Sequence, residues 1–115
     1  MTRWEPDELA ELARAMSLRL RAGPQPGPEV DLGMVLVGSE LYVRAYRGPR
    51  SRWFQAARDA GTGWISAGSL ARDVLLIPDC GPADAIDDAY RAKYGDSSLV
   101  ASPPARAATL RIVPA

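Results

Sequence analysis

Leu32-Gly33-Met34-Val35-Leu36-Val37, Gly38-Ser39-Glu40 and Leu41-Tyr42-Val43-Arg44-Ala45-Tyr46-Arg47 read as two strands around a compact turn. β-Branched and aromatic residues crowd both runs, and a short Gly-containing link between such runs marks a β-hairpin. The first run is apolar on both faces, which predicts a strand covered on both sides. The second alternates, with Leu41, Val43 and Ala45 on one face and Tyr42, Arg44 and Tyr46 on the other.

Outward from this hairpin the pattern repeats. Gly63–Ala67 and Leu70–Ile77 flank Gly68-Ser69 as a second hairpin. Ser17–Ala22 alternates Leu18 and Leu20 with Arg19 and Arg21, a half-buried strand, and Ala108–Val113 reads as a closing strand. Gly23-Pro24-Gln25-Pro26-Gly27-Pro28 can be neither helix nor strand.

Helices are predicted between these strands. Pro6–Met16 carries Leu9, Leu12, Ala13 and Met16 at helical spacing, with Asp7 and Glu8 where the helix dipole favours acids. Ser51–Ala60 would bury Trp53, Ala56, Ala57 and Ala60 and stop at Gly61. Pro82–Tyr94 has Asp84, Asp87 and Asp88 early, Arg91 and Lys93 late, and turns Ile86, Ala89 and Tyr90 inward. Pro103-Pro104 starts at most one turn. Six strands joined mostly by tight hairpins argue against a parallel βαβ sheet. The expected fold is α+β: an antiparallel six-stranded split β-barrel with short flanking helices, one domain over residues 1–115, because curling removes exposed sheet edges.

Composition narrows the chemistry. The 115 residues are 47% apolar and 24% charged with no net charge, so no bulk field calls for nucleic acid or an acidic membrane. No apolar run approaches a membrane span, and Met1–Pro6 has no apolar signal core. Cys80 stands alone, which suits a reducing, cytoplasmic setting. There is no histidine, which excludes Ser-His-Asp and Cys-His catalysis and the common zinc and copper sites. The clustered Asp84, Asp87 and Asp88 read as helical, so no metal site is expected.

Thirteen arginines accompany the single lysine, Lys93. Such a bias arises from a GC-rich genome, or from anion recognition where the arginines cluster. They do cluster: Arg44, Arg47, Arg50 and Arg52 fall within nine residues, and no acid lies between Glu40 and Asp59. This segment leaves a strand, turns at Gly48-Pro49 and opens a helix at Ser51. A helix N-terminus presents unpaired N–H groups to a phosphate or carboxylate, and arginine adds a bidentate fork. The competing reading is a solvated loop with Ser51 as an ordinary N-cap. Trp53 and Phe54 are adjacent and cannot share one helix face; one belongs to the core and the other can line a cleft. Core positions are expected for both Trp53 and Trp64, packing for Tyr90 and Tyr94, and a dipole-partner role for Lys93.

Tyr42-Val43-Arg44 through Tyr46-Arg47-Gly48, Ala89-Tyr90-Arg91-Ala92-Lys93-Tyr94-Gly95, and Ser102-Pro103 to Arg106 with Thr109-Leu110-Arg111 and Pro114 carry a resemblance. The chain resembles, from Trp4 to Pro114, a bacterial family of small proteins catalogued as a domain of unknown function. That family is similar in turn to the flavin and deazaflavin split barrels of the pyridoxamine phosphate oxidase type. The resemblance implies FMN or a deazaflavin as cofactor, held by Arg44, Tyr46, Arg47, Gly48, Arg50, Ser51, Arg52 and Trp53. Gly48-Pro49-Arg50 matches the group's phosphate loop, with Arg50 where lysine is usual, and Trp53-Phe54 matches its aromatic pair. It also implies a homodimer, as does the two-faced apolar strand Leu32–Val37. The residues themselves leave a second reading open: a cofactor-free small-molecule-binding protein, or a lyase- or isomerase-type enzyme working through Tyr, Lys93 or carboxylates. No catalytic residue is assigned.

Overall fold

The computed structural model describes residues 3–23, 28–95 and 99–115; most of the expected Gly23–Pro28 loop lies outside them. Eleven elements follow in chain order: α1 (Pro6–Arg14), β1 (Leu18–Ala22), β2 (Glu29–Leu32), β3 (Val35–Val37), β4 (Glu40–Arg44), α2 (Arg52–Ala60), β5 (Thr62–Ala67), β6 (Leu70–Pro78), α3 (Ala83–Tyr94), α4 (Pro103–Ala107) and β7 (Thr109–Pro114). Among the described residues no helix is long and apolar enough to cross a membrane.

The strands form one antiparallel sheet in the order β2-β1-β5-β6-β7-β4-β3. It has seven strands where the sequence predicted six, because Leu32–Val37 is not one strand. Leu32 ends β2 on one edge, Val35 begins β3 on the other, and Gly33-Met34 crosses between them. Glu29–Leu32, of which only Leu32 was expected in a strand, pairs with β1 from Leu18↔Leu32 to Arg21↔Glu29.

That link determines the shape. Seven flat strands put their outer edges about 29 Å apart, whereas Leu32 to Val35 spans at most about 11 Å. The sheet therefore curls into a half-barrel whose edges approach each other at Gly33-Met34. Inside the curl lie Leu18, Leu20, Met34, Leu41, Val43, Ile65, Leu76, Leu110 and Ile112, all essentially inaccessible to solvent. Trp4 joins them, and its indole N–H donates to the Ile112 carbonyl at 3.0 Å.

The backbone of Gly33-Met34 leaves both ladders, and α3 takes up its polar groups. The Tyr94 hydroxyl accepts the Met34 N–H at 2.9 Å and reaches the Met16 carbonyl at 2.7 Å. Lys93 Nζ donates to the Met34 carbonyl at 2.8 Å. The Tyr90 hydroxyl accepts the Arg44 N–H at 3.1 Å and faces the Gly33 carbonyl at 3.4 Å. A Cβ on residue 33 would stand 3.3 Å from the Tyr94 ring, so glycine permits the approach. Tyr90 and Tyr94 thus pack, as expected, and also clasp the point where the two sheet edges meet. Their hydroxyls are held protonated: burial pushes both phenols up, and the Arg44 and Met34 N–H groups offset this only in part.

α3 covers the outer face of β3 and β4, where Val35, Tyr42, Ile86 and Tyr90 form a second cluster. The second apolar face of Leu32–Val37, a reason to expect a partner copy, is covered at Val35 within the chain.

Two helices differ from expectation, α1 in length and α2 in register. α1 stops at Arg14, which leaves Met16 outside the helix and exposed. α2 buries Phe54 and Ala57, not the predicted stripe of Trp53, Ala56, Ala57 and Ala60. Adjacent helical side chains point about 100° apart, so with Phe54 in the curl Trp53 is turned sideways and only half-buried.

Candidate functional site

Beside α2 a cleft of about 590 Å³ opens between three elements. β2 supplies Val30, Asp31 and Leu32; the turn after β4 supplies Tyr46 and Arg47; the start of α2 supplies Arg50, Ser51, Arg52 and Trp53. Local sequence builds this corner. β4 ends at Arg44, Gly48 donates to the Ala45 carbonyl at 2.8 Å, and Ser51 N–H donates to the Gly48 carbonyl at 3.0 Å. Gly48 has φ +86°, and a Cβ there would stand 2.8 Å from Pro104 Cβ, so no other residue fits this turn against α4.

The first turn of α2 is electrostatically open. Ser51 makes no side-chain capping hydrogen bond, and no acid lies in the first turn. Its early N–H groups therefore remain available with the positive end of the helix dipole.

The arginines sort themselves. Arg14, Arg19, Arg21, Arg44, Arg58, Arg72, Arg91, Arg106 and Arg111 form ion pairs. Arg3, Arg47, Arg50 and Arg52 form none among the described residues, and the last three line the cleft. Arg47 also lies 5.7 Å above the ring of the exposed Tyr46. Uncompensated positive charge is thus concentrated where the helix N-terminus adds to it. Asp31 is the acid on the opposing wall, and it pairs with Arg19 at 3.5 Å.

A second lobe of about 360 Å³ continues past Trp53, lined by Leu20, Ala22, Pro28, Glu29, Val30, Arg52, Trp53 and Ala56. Val30, Arg52 and Trp53 border both lobes. The site has a cationic end and a mainly apolar end with the indole between them. Of the residues predicted to act together, Tyr46, Arg47, Arg50, Ser51, Arg52 and Trp53 line the cleft, and Gly48 forms its turn. Trp53 is half-buried at the cleft wall, not in the core. Trp64 is also half-buried, beneath the Arg21 guanidinium at 5.0 Å.

Arg44 is placed elsewhere. Its side chain has no exposed surface and pairs with Asp87, while donating to Thr109 Oγ1 at 3.2 Å, the Val100 carbonyl at 2.8 Å and the Ala83 carbonyl at 3.2 Å. Asp87 also pairs with Arg106. Burial pushes the Asp87 carboxyl up, but hydrogen bonds from Arg44 and Arg106 outweigh it and hold the group below its ordinary value. Arg44 ties α3 to the sheet, Arg106 brings α4 to the same aspartate, and Arg44 does not face the cleft. The wall residues Val30, Asp31 and Leu32 escape sequence reading because they follow a proline-rich segment, although Glu29–Leu32 does alternate. Among the described residues no group of three or more His, Cys, Asp or Glu side chains is placed to hold a metal ion.

The architecture has a solved counterpart. A crystal structure of a candidate 5-nitroimidazole antibiotic resistance protein from Bacteroides thetaiotaomicron VPI-5482 superposes with a TM-score of 0.59, at 15% identity, covering 99% of this chain and 81% of that one. The likeness is one of fold. No curated protein matches the chain. A family model matches residues 8–112, and the chain belongs to that family: DUF2255, uncharacterized proteins conserved in bacteria.

Proposed function

We propose that the two-lobed cleft binds a small phosphate-bearing aromatic cofactor, FMN or a deazaflavin, in a split-barrel redox protein. The observation that carries this reading is the convergence of Arg47, Arg50 and Arg52, all without ion pairs among the described residues, on the uncapped start of α2. The residues fit such a group: the phosphate would rest on these guanidinia, Ser51 and the first α2 N–H groups, and the ring against Trp53 in the apolar lobe. A bound flavin supplies hydride chemistry, and reduction of a nitro group, the substituent in the drug class for which the fold neighbour is named, is chemistry of that kind. The chain's own part is to anchor the anion, orient the ring and exclude water on the side of Val30 and Leu32.

Calorimetric titration of FMN, a deazaflavin and inorganic phosphate into wild type and Arg50→Ala tests the proposal. A charge-assisted arginine–phosphate contact contributes about 1.5–3 kcal/mol, so Arg50→Ala should weaken a phosphate-bearing ligand about ten- to a hundredfold. Added salt should weaken wild-type binding because the site is open to solvent. The stability of Arg50→Ala should be nearly that of wild type, since the side chain is exposed and unpaired. A wild type that binds none of the three at millimolar concentration, or a variant that binds as tightly, overturns the proposal.

A further inference from the structure

A separate cleft of about 330 Å³ lies between α1, β3 and α3 and shares no residue with the arginine site. Its walls are Leu12 and Ala13 of α1, Val35 and Leu36 of β3, and Ala89 and Ala92 of α3; the one polar side chain is Lys93. Lys93 makes no ion pair among the described residues. Its ammonium is not loose at the helix end, where a dipole partner would stay. It folds back onto the sheet, donates to the Met34 carbonyl at 2.8 Å, and lies 3.3 Å from Met34 Sδ and 5.3 Å from the Tyr94 ring. An ammonium carries three N–H donors. The Met34 carbonyl takes one and Met34 Sδ weakly takes a second, and among the described residues no carboxylate lines the cleft to receive the third. Burial lowers the affinity of the amine for its proton, which accords with a cation short of solvent and without a counter-charge.

We infer that this cleft binds small monocarboxylates with an apolar chain or ring, the carboxylate on Lys93 and the hydrocarbon on Leu36, Ala89 and Ala92. One compact point charge amid hydrocarbon matches one carboxylate. A phosphate dianion would leave a charge unmatched, and neither an arginine fork nor a helix N-terminus is present to hold it. At about 330 Å³ the cleft sits at the small end of ligand sites.

Hexanoate and 1-hexanol, titrated against protein carrying ¹³C-labelled alanine methyls, provide the test. Hexanoate should shift the Ala13, Ala89 and Ala92 signals and leave Ala22 and Ala56, beside the arginine cleft, in place. It should bind about tenfold more tightly than hexanol, the scale of one partly exposed charge-assisted contact. Lys93→Gln should remove that preference and Lys93→Arg should keep it. The inference is overturned if neither compound binds, if the acid and alcohol bind alike, or if the shifts appear at Ala22 and Ala56. A Lys93→Gln variant that keeps the preference overturns it too. The acid–alcohol comparison uses wild type alone and stands even if a variant fails to fold.

Discussion

Asp87→Ala should cost about 3–5 kcal/mol of folding stability, the expected scale for removing one partner of a buried ion pair. The Asp87 side chain is 8% exposed and that of Arg44 not at all. Removing the carboxylate strands the Arg44 guanidinium among Thr109, Val100 and Ala83, which offer only neutral acceptors. Arg106 suffers less, because it is 40% exposed and keeps Asp84 at 3.3 Å. Replacing both Arg44 and Asp87 with apolar residues of similar size should recover most of the loss, since the cost lies in the unpaired charge more than in the pair. Urea denaturation reads both effects as a shift of midpoint at constant slope. The pH dependence has a definite sign. Because the folded carboxyl titrates below its unfolded value of about 3.9, its contribution is fully present above that range. It is lost as pH falls through the folded value. Asp87→Asn should therefore flatten this part of the acid limb. A loss under about 1 kcal/mol in Asp87→Ala would show that the network is dispensable.

Phe54→Ala and Trp53→Ala should separate stability from binding at neighbouring positions. Phe54 is 3% exposed inside the curl, and its truncation should cost about 3–5 kcal/mol. Trp53 packs on the core with one side of its ring and lines both lobes with the other. Trp53→Ala should cost only about 1–2 kcal/mol, since less of the indole leaves water on folding. It should nevertheless weaken FMN binding, whereas Phe54→Ala, where folded, should bind nearly as wild type does. Thermal denaturation and calorimetry on the two variants measure both quantities. The reverse pattern, with Trp53 dominating stability, would mean that α2 sits in the register predicted from sequence.

Most of the sheet is legible because hairpins announce themselves locally. Gly38-Ser39 and Gly68-Ser69 each sit beside a run whose alternation names the buried face, and the observed pairings Val37↔Glu40 and Ala67↔Leu70 close on those turns, with Glu40, expected in the turn, opening β4. Leu32–Val37 misleads because an unbroken apolar run does not reveal that its backbone changes edges at Gly33-Met34. The cause lies some sixty residues away, in Tyr90, Lys93 and Tyr94. The candidate cleft is legible where it is local, from Tyr46 to Trp53. Its other wall is not, since β2 reaches α2 only through the curl. Arg44 shows the limit of counting charges: four arginines in nine residues look alike in sequence, yet one faces a buried aspartate and three face a cleft. The resemblance-bearing Tyr90, Lys93 and Tyr94 find a physical role as a clasp on the sheet's edges.

The strand order also dictates a sequence of events in folding. β7 lies between β6 and β4, so the seventh strand joins two pieces, β2-β1-β5-β6 and β4-β3, which share no ladder without it. Only the Gly33-Met34 link and helix packing tie these pieces together before Thr109–Pro114 arrives. During vectorial synthesis both flanking strands must wait with open edges, Leu75 and Leu76 on one side and Leu41 and Val43 on the other. Insertion of β7 satisfies both edges in one step. The closure is a contact of long sequence separation, and slow, late events of that kind expose a chain to aggregation. The nascent protein is therefore most vulnerable in the interval between completion of β6 and emergence of β7.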